Sequence, residues 1–300
     1  MSRICVGFTM DCEQLNEDSA AGGPRDWGVS ERAIVGFADV LERRGFRATF
    51  FAIPQTAARH ARLFLALEAR GFELGLHLHT LDQGWRDHLG GLAPEEQHRA
   101  LSQASAAWAE ALGREPQAFR AGNFSANDQT FPLLSELGFT HASTSSPERT
   151  LVGVRAVWAG ALPYPHWTHA GNRLLEGDLP LLEVPITTHP TARHETAPGV
   201  PWELRVEGGQ WEHNPQIIAA HLDWQISSTS DGNRPEAEAL LACVAFTHNT
   251  REYSDPQDEM TKRLVRVMNA LEQEGERRQI PLEKTTIGGI HRIATRASGE

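Results

Sequence analysis

Apolar and polar positions along this chain alternate between two periods. "RICVGFTM" (residues 3–10) is a short apolar run with β-branched residues and reads as a buried strand. "SERAIVGFADVLERRG" (30–45) follows at helical spacing, with Ser30 as the expected N-cap and Gly45 as the stop. "FRATFFAI" (46–53) returns to strand, "QTAARHARLFLALEARG" (55–71) to a helix closed by Gly71, and "FELGLHLH" (72–79) to strand. A long helix fits "APEEQHRALSQASAAWAEALG" (93–113), then a strand "QAFRA", a helix "NDQTFPLLSELG" and a strand "FTHAST". Near the C-terminus "LLEVPI" and "LLACVAFTH" read as strands, and "DEMTKRLVRVMNALEQEG" as a helix. Such alternation with short glycine stops predicts parallel βαβ units in an α/β barrel or an open sheet. From about residue 150 to 235 it weakens. That stretch is rich in Pro, Gly, Trp and His and reads as a loop-rich insertion or lid within one domain spanning 1–300.

Composition narrows the partners. Hydrophobic residues make up 40% of the 300, ample for a sizeable core. The net charge of −11, with no Lys/Arg run, disfavours nucleic acid or an anionic membrane as partner. Cys5, Cys12 and Cys243 are widely spaced with no CxxC pair, which suggests free thiols in a reducing compartment. No apolar run approaches the roughly 20 residues that span a bilayer, and the N-terminus lacks a signal-peptide pattern. The expected location is the cytoplasm.

The polar residues at the strand ends bring in chemistry. The first strand ends in Asp11-Cys12-Glu13, the third in His77-Leu78-His79, the fourth at Arg120 and the late strand at His248. In a parallel α/β barrel these ends form the active-site rim. Residues i and i+2 of a strand point the same way, so Asp11 pairs with Glu13 and His77 with His79. Two imidazoles and a carboxylate close three positions of a zinc-like site and leave the rest to water, on which a second carboxylate can act. With 14 histidines in the chain, an HxH pair alone is weak. The shared strand-end position is what strengthens it.

The spelling around these residues resembles the polysaccharide deacetylase family, the chitooligosaccharide deacetylase-like domain. "FTMDCE", "VLERRGFRATFFAIPQTA", "LEARGFELGLHLHT" and "FRAGNFSANDQTFPLLSELGFTHAST" stand in the family's order, and "LLEVPI" and "VAFTHN" match more loosely. The resemblance covers most of residues 3–285. It implies a distorted, seven-stranded (β/α) barrel holding one divalent metal, zinc first, with cobalt, manganese or nickel as alternatives. It implies Asp11 as general base, Glu13 and His77 as metal ligands, Arg120 as the residue orienting Asp11, and His248 as general acid. The family's second histidine falls at Leu81 here. His79 is the available substitute, with His88 as a second candidate.

The implied activity is metal-dependent hydrolysis of a non-peptide amide bond, removing an N-acetyl group from a sugar or glycan precursor. A cytoplasmic location favours a nucleotide- or lipid-linked sugar over finished wall polymer. Hydrolysis of a small cyclic amide is the alternative, and a catalytically silent glycan-binding protein the second. Asn123, Trp158 and Tyr164 are the candidate substrate contacts, since aromatic faces stack on sugar rings; they equally suit a small local core.

Overall fold

The computed structural model describes residues 3–19, 22–208, 210–230 and 240–297. The first half alternates as its periodicity predicts: β1 (Ile4–Cys12), α1 (Trp27–Glu42), β2 (Ala48–Ala52), α2 (Pro54–Arg59), α3 (Ala61–Ala69), β3 (Glu73–Leu78), α4 (Pro94–Leu112), β4 (Ala118–Ala121), α5 (Thr130–Glu136) and β5 (His141–Ala142). The stretch from residue 150 follows with β6 (Thr150–Leu151), β7 (Ala156–Val157), β8 (His166–Trp167), β9 (Leu182–Glu183), β10 (Thr188–His194), β11 (Ala197–Glu203) and α6 (Asn214–Ser230). The chain ends in β12 (Leu241–His248), α7 (Glu259–Arg278), β13 (Leu282–Thr285) and α8 (Ile287–Ala297).

Two boundaries differ from expectation. Asp26, not Ser30, caps α1, its carboxylate accepting the Val29 N–H at 2.8 Å. Ser30 lies one turn inside, and its hydroxyl meets His60 Nε2 at 3.0 Å. The helix expected over 55–71 is two helices that meet at His60, whose backbone leaves the helical region (φ −109°, ψ 22°).

Among the described residues nine strands form one curled sheet, in the order β12-β1-β2-β3-β4-β5-β9-β8 with β13 also on β1. All the pairings are parallel except β8 with β9. One edge of β1 is shared: β13 takes Ile4–Gly7 and β2 takes Phe8–Cys12. Beyond β9 the backbone curls back toward β12 through single bonds, Thr187 N–H to Val244 O at 3.1 Å and Phe246 N–H to Leu204 O at 3.1 Å. All nine residues of β1 and all five of β2 are buried, as strands covered on both faces must be. Phe8, Phe37, Phe46, Phe50 and Phe64 pack between these strands and the helices outside them.

At the start of the strands α8 docks on the sheet, with the Gly288 N–H donating to Glu73 Oε2 at 2.8 Å. At the opposite ends, register alone pairs Asp11 with His248 and His77 with Arg120. That alignment gathers the strand-end residues.

Candidate metal and acid–base site

Glu13 is the first residue past β1 and is 1% exposed. Its Oε1 lies 3.2 Å from His77 Nε2 and 3.0 Å from His79 Nε2. The three ligand atoms fall within 4.8 Å of one another. His77, one residue before the end of β3, donates its Nδ1–H to the Arg120 carbonyl at 2.9 Å, which turns Nε2 toward Glu13. Burial pushes the His77 imidazole pKa down, and the Asp11 and Glu13 carboxylates more than reverse it. Burial likewise pushes Glu13 up, but the His79 and His77 imidazoles hold it well below the usual carboxylate range. The carboxylates thus favour positive charge on His77, and the imidazoles favour negative charge on Glu13.

Glu13 Oε2 is buried with no hydrogen-bond partner among the described residues. A buried carboxylate oxygen without a donor is costly, and a cation removes that cost. Two nitrogens and a carboxylate oxygen, hard-to-borderline donors, suit a divalent ion of the zinc type. The residues fit the group that the resemblance implies.

Asp11 faces the same space. Arg120 Nη1 donates to its Oδ1 at 2.8 Å, while the rest of the guanidinium is fixed by Thr9 Oγ1, Ser143 O and Ser143 Oγ, each at 2.8 Å. His248 Nε2 lies 4.0 Å from Asp11 Oδ2, and its Nδ1 lies 2.6 Å from Glu207 Oε1. Burial pulls the His248 pKa down, but the hydrogen bond and charge of Glu207 prevail and hold it above the ordinary value. Arg205 Nη2 in turn anchors Glu207 Oε1 at 3.0 Å.

Residues 26–142 match the family model for polysaccharide deacetylases. The match spans 117 of the 300 residues, so this part of the chain carries the polysaccharide deacetylase pattern. No curated protein sequence matches it. Among solved structures, a candidate polysaccharide deacetylase from Mycobacterium smegmatis is 16% identical with a TM-score of 0.60, covering 99% of this chain and 92% of that one. PuuE allantoinase is 15% identical with a TM-score of 0.59, over 97% and 90%. A candidate polysaccharide deacetylase from Pseudomonas aeruginosa is 17% identical with a TM-score of 0.53, over 97% and 90%. At these identities the likeness is one of fold.

Within this deacetylase fold the residues singled out from sequence divide. Asp11, Glu13, His77, His79, Arg120 and His248 come together. His88 precedes a short 3-10 turn at Leu89–Gly91 and lies outside the ligand cluster; Leu81 is 38% exposed. The three cysteines are free and buried, and burial pushes Cys5 and Cys243 up to about 12, so their thiols stay protonated. Trp158 is fully buried, its Nε1–H donating to Phe124 O at 2.7 Å, so it supports the loop after β4 and presents no stacking face. Tyr164 is 8% exposed, packed edge-on to His166. Asn123 is half-buried with a left-handed backbone (φ 55°), and the start of α5 is organised by Asn127, whose Oδ1 accepts the Gln129 N–H.

Sequence reasoning passed over Glu207 and Arg205. They sit in an irregular segment after β11, and the backbone bonds of Leu204 and Val206 to Phe246 bring them beside β12. No local period marks them.

Proposed function

We propose that this chain is a metal-dependent hydrolase of non-peptide carbon–nitrogen bonds that removes an N-acetyl group from a sugar or glycan precursor. The observation that carries the reading is the convergence of His77 Nε2 and His79 Nε2 on Glu13 Oε1 beside an Arg120-held Asp11. Glu13, His77 and His79 would hold the ion, which when bound polarises the amide carbonyl and acidifies a water.

The rest falls to side chains. Asp11, fixed by Arg120, takes the proton of the attacking water. His248 holds a proton at Nε2, with Glu207 accepting from Nδ1, and delivers it to the departing amine. Burial of Asp11, His77 and His79 keeps competing water out of this space and strengthens each electrostatic contact there. A base and an acid, each with its own charged partner, favour catalysis over silent glycan binding. The whole-chain likeness to an allantoinase fold keeps small cyclic amides as a second substrate class.

The test is metal content per chain by mass spectrometry on untagged protein, followed by acetate release from a panel of N-acetylated sugars and ring opening of cyclic amides. Near one metal per chain with acetate release is expected. Failure to take up zinc, cobalt, manganese or nickel would sink the hydrolase reading, and ring opening without acetate release would move the substrate to the second class.

A further inference from the structure

Immediately after Arg120, β4 turns through Gly122, Asn123 and Phe124. The turn is held from two sides: the Ala121 N–H donates to Thr144 Oγ1 at 3.3 Å, and Trp158 Nε1–H reaches Phe124 O at 2.7 Å. Asn123 and Phe124 both adopt left-handed backbone, φ 55° and 58°, whereas Gly122 does not. Backbone freedom therefore does not explain glycine at 122. Space does. A Cβ built there would sit 2.5 Å from His79 Nδ1 and 2.6 Å from its Cε1 and Cγ, well inside any Cβ contact that real side chains make. The imidazole is backed onto the bare main chain of Gly122 along one edge while Nε2 on the other side meets Glu13 Oε1 at 3.0 Å.

The two histidines are thus positioned by different means. His77 is oriented by a hydrogen bond to the Arg120 carbonyl. For His79 the β4 turn supplies a slot one methyl group deep. We propose that Gly122 is the positioning residue that admits His79 to the metal site, so that the His-x-His ligand pair depends on glycine two residues after Arg120. The inference rests on the metal-site reading of Glu13, His77 and His79. Any side chain at 122 pushes the His79 ring off its line to Glu13 and leaves His77 where it is, reducing three ligands to two.

The experiment is zinc affinity by competition with a chromophoric chelator for four proteins: native, Gly122→Ala, His79→Ala and the double variant. Gly122→Ala weakens zinc binding by about 10–100-fold, the range for losing support of a ligand. His79→Ala weakens it at least as much. The double variant is no weaker than His79→Ala, because Gly122 acts through His79. Native-like binding by Gly122→Ala overturns the inference, and so does a loss that adds in full on top of His79→Ala. A native protein that takes up no zinc fails the metal reading itself, a separate outcome. Should Gly122→Ala fold poorly, melting temperatures decide: the double variant, with the ring gone, melts above Gly122→Ala, and an equally low value overturns the proposal.

Discussion

Asn249 clasps the main chain of Glu13: its Oδ1 accepts the Glu13 N–H at 2.9 Å and its Nδ2 donates to the Glu13 carbonyl at 3.0 Å. The residue that follows the His248 strand therefore also fixes the backbone of Glu13, 236 residues away. Thr56 Oγ1 adds a second bond to the same carbonyl at 3.0 Å, and Ser30 Oγ receives Asn249 Nδ2 at 2.8 Å.

Asn249→Ala leaves the buried Glu13 N–H without a partner. An unsatisfied buried donor costs about 1–3 kcal/mol. Denaturant unfolding of the metal-free protein should show a loss of that size, and chelator competition should show weakened zinc binding with all three ligands still present. Unchanged affinity would mean that Glu13 is held well enough without the clasp.

Asp11 and His77 should separate base from ligand. Asp11→Asn keeps the hydrogen-bonding shape but cannot accept the proton, so turnover falls by about 10²–10⁴-fold while metal content stays near that of the native protein. His77→Ala loses metal and turnover together. Full activity in Asp11→Asn would remove it from the base role.

Glu207 should set the pH profile through His248. A general acid must be protonated, so activity falls as pH rises through the His248 pKa, which the Glu207 bond and charge hold above the ordinary histidine value against burial. Glu207→Gln removes the charge and lowers that pKa. The alkaline limb of kcat/KM moves to lower pH by about one unit, the equivalent of one charged hydrogen bond. A limb that stays in place would assign the proton to another group.

Trp158→Phe tests the burial of that ring. It removes the bond to the Phe124 carbonyl, and destabilisation by about 1–3 kcal/mol in denaturant unfolding is expected. Because the ring is fully buried, the drop should appear in stability without a rise in KM that exceeds the fall in kcat. A selective rise in KM would return Trp158 to the substrate.

Much of this was legible in the sequence because it is local. An apolar run marks a strand, helical spacing and a closing glycine mark a helix, and the first polar residues after a parallel strand stand at the rim whatever their partners are. Asp11, Glu13, His77, His79, Arg120 and His248 follow from that reasoning. Helix caps were less legible: Ser30 and Asp26 are both good N-caps, and the choice fell to Asp26 while the Ser30 hydroxyl meets His60 and Asn249. β13 and α8 were missed because the short "LEKT" and the helix after it lack a long periodic signal of their own.

What the sequence by itself determined, then, is which side chains each strand end presents, because a period of two residues dictates the face. What only the tertiary structure decided is which of them meet and what holds them there. Glu207 reaches His248 through an irregular segment, Asn249 clasps Glu13 across the sheet, and Gly122 matters through the space it leaves for His79. Each depends on strand register and on the path of unrepeating backbone. Those are set by packing over the whole sheet, and no window along the chain encodes them.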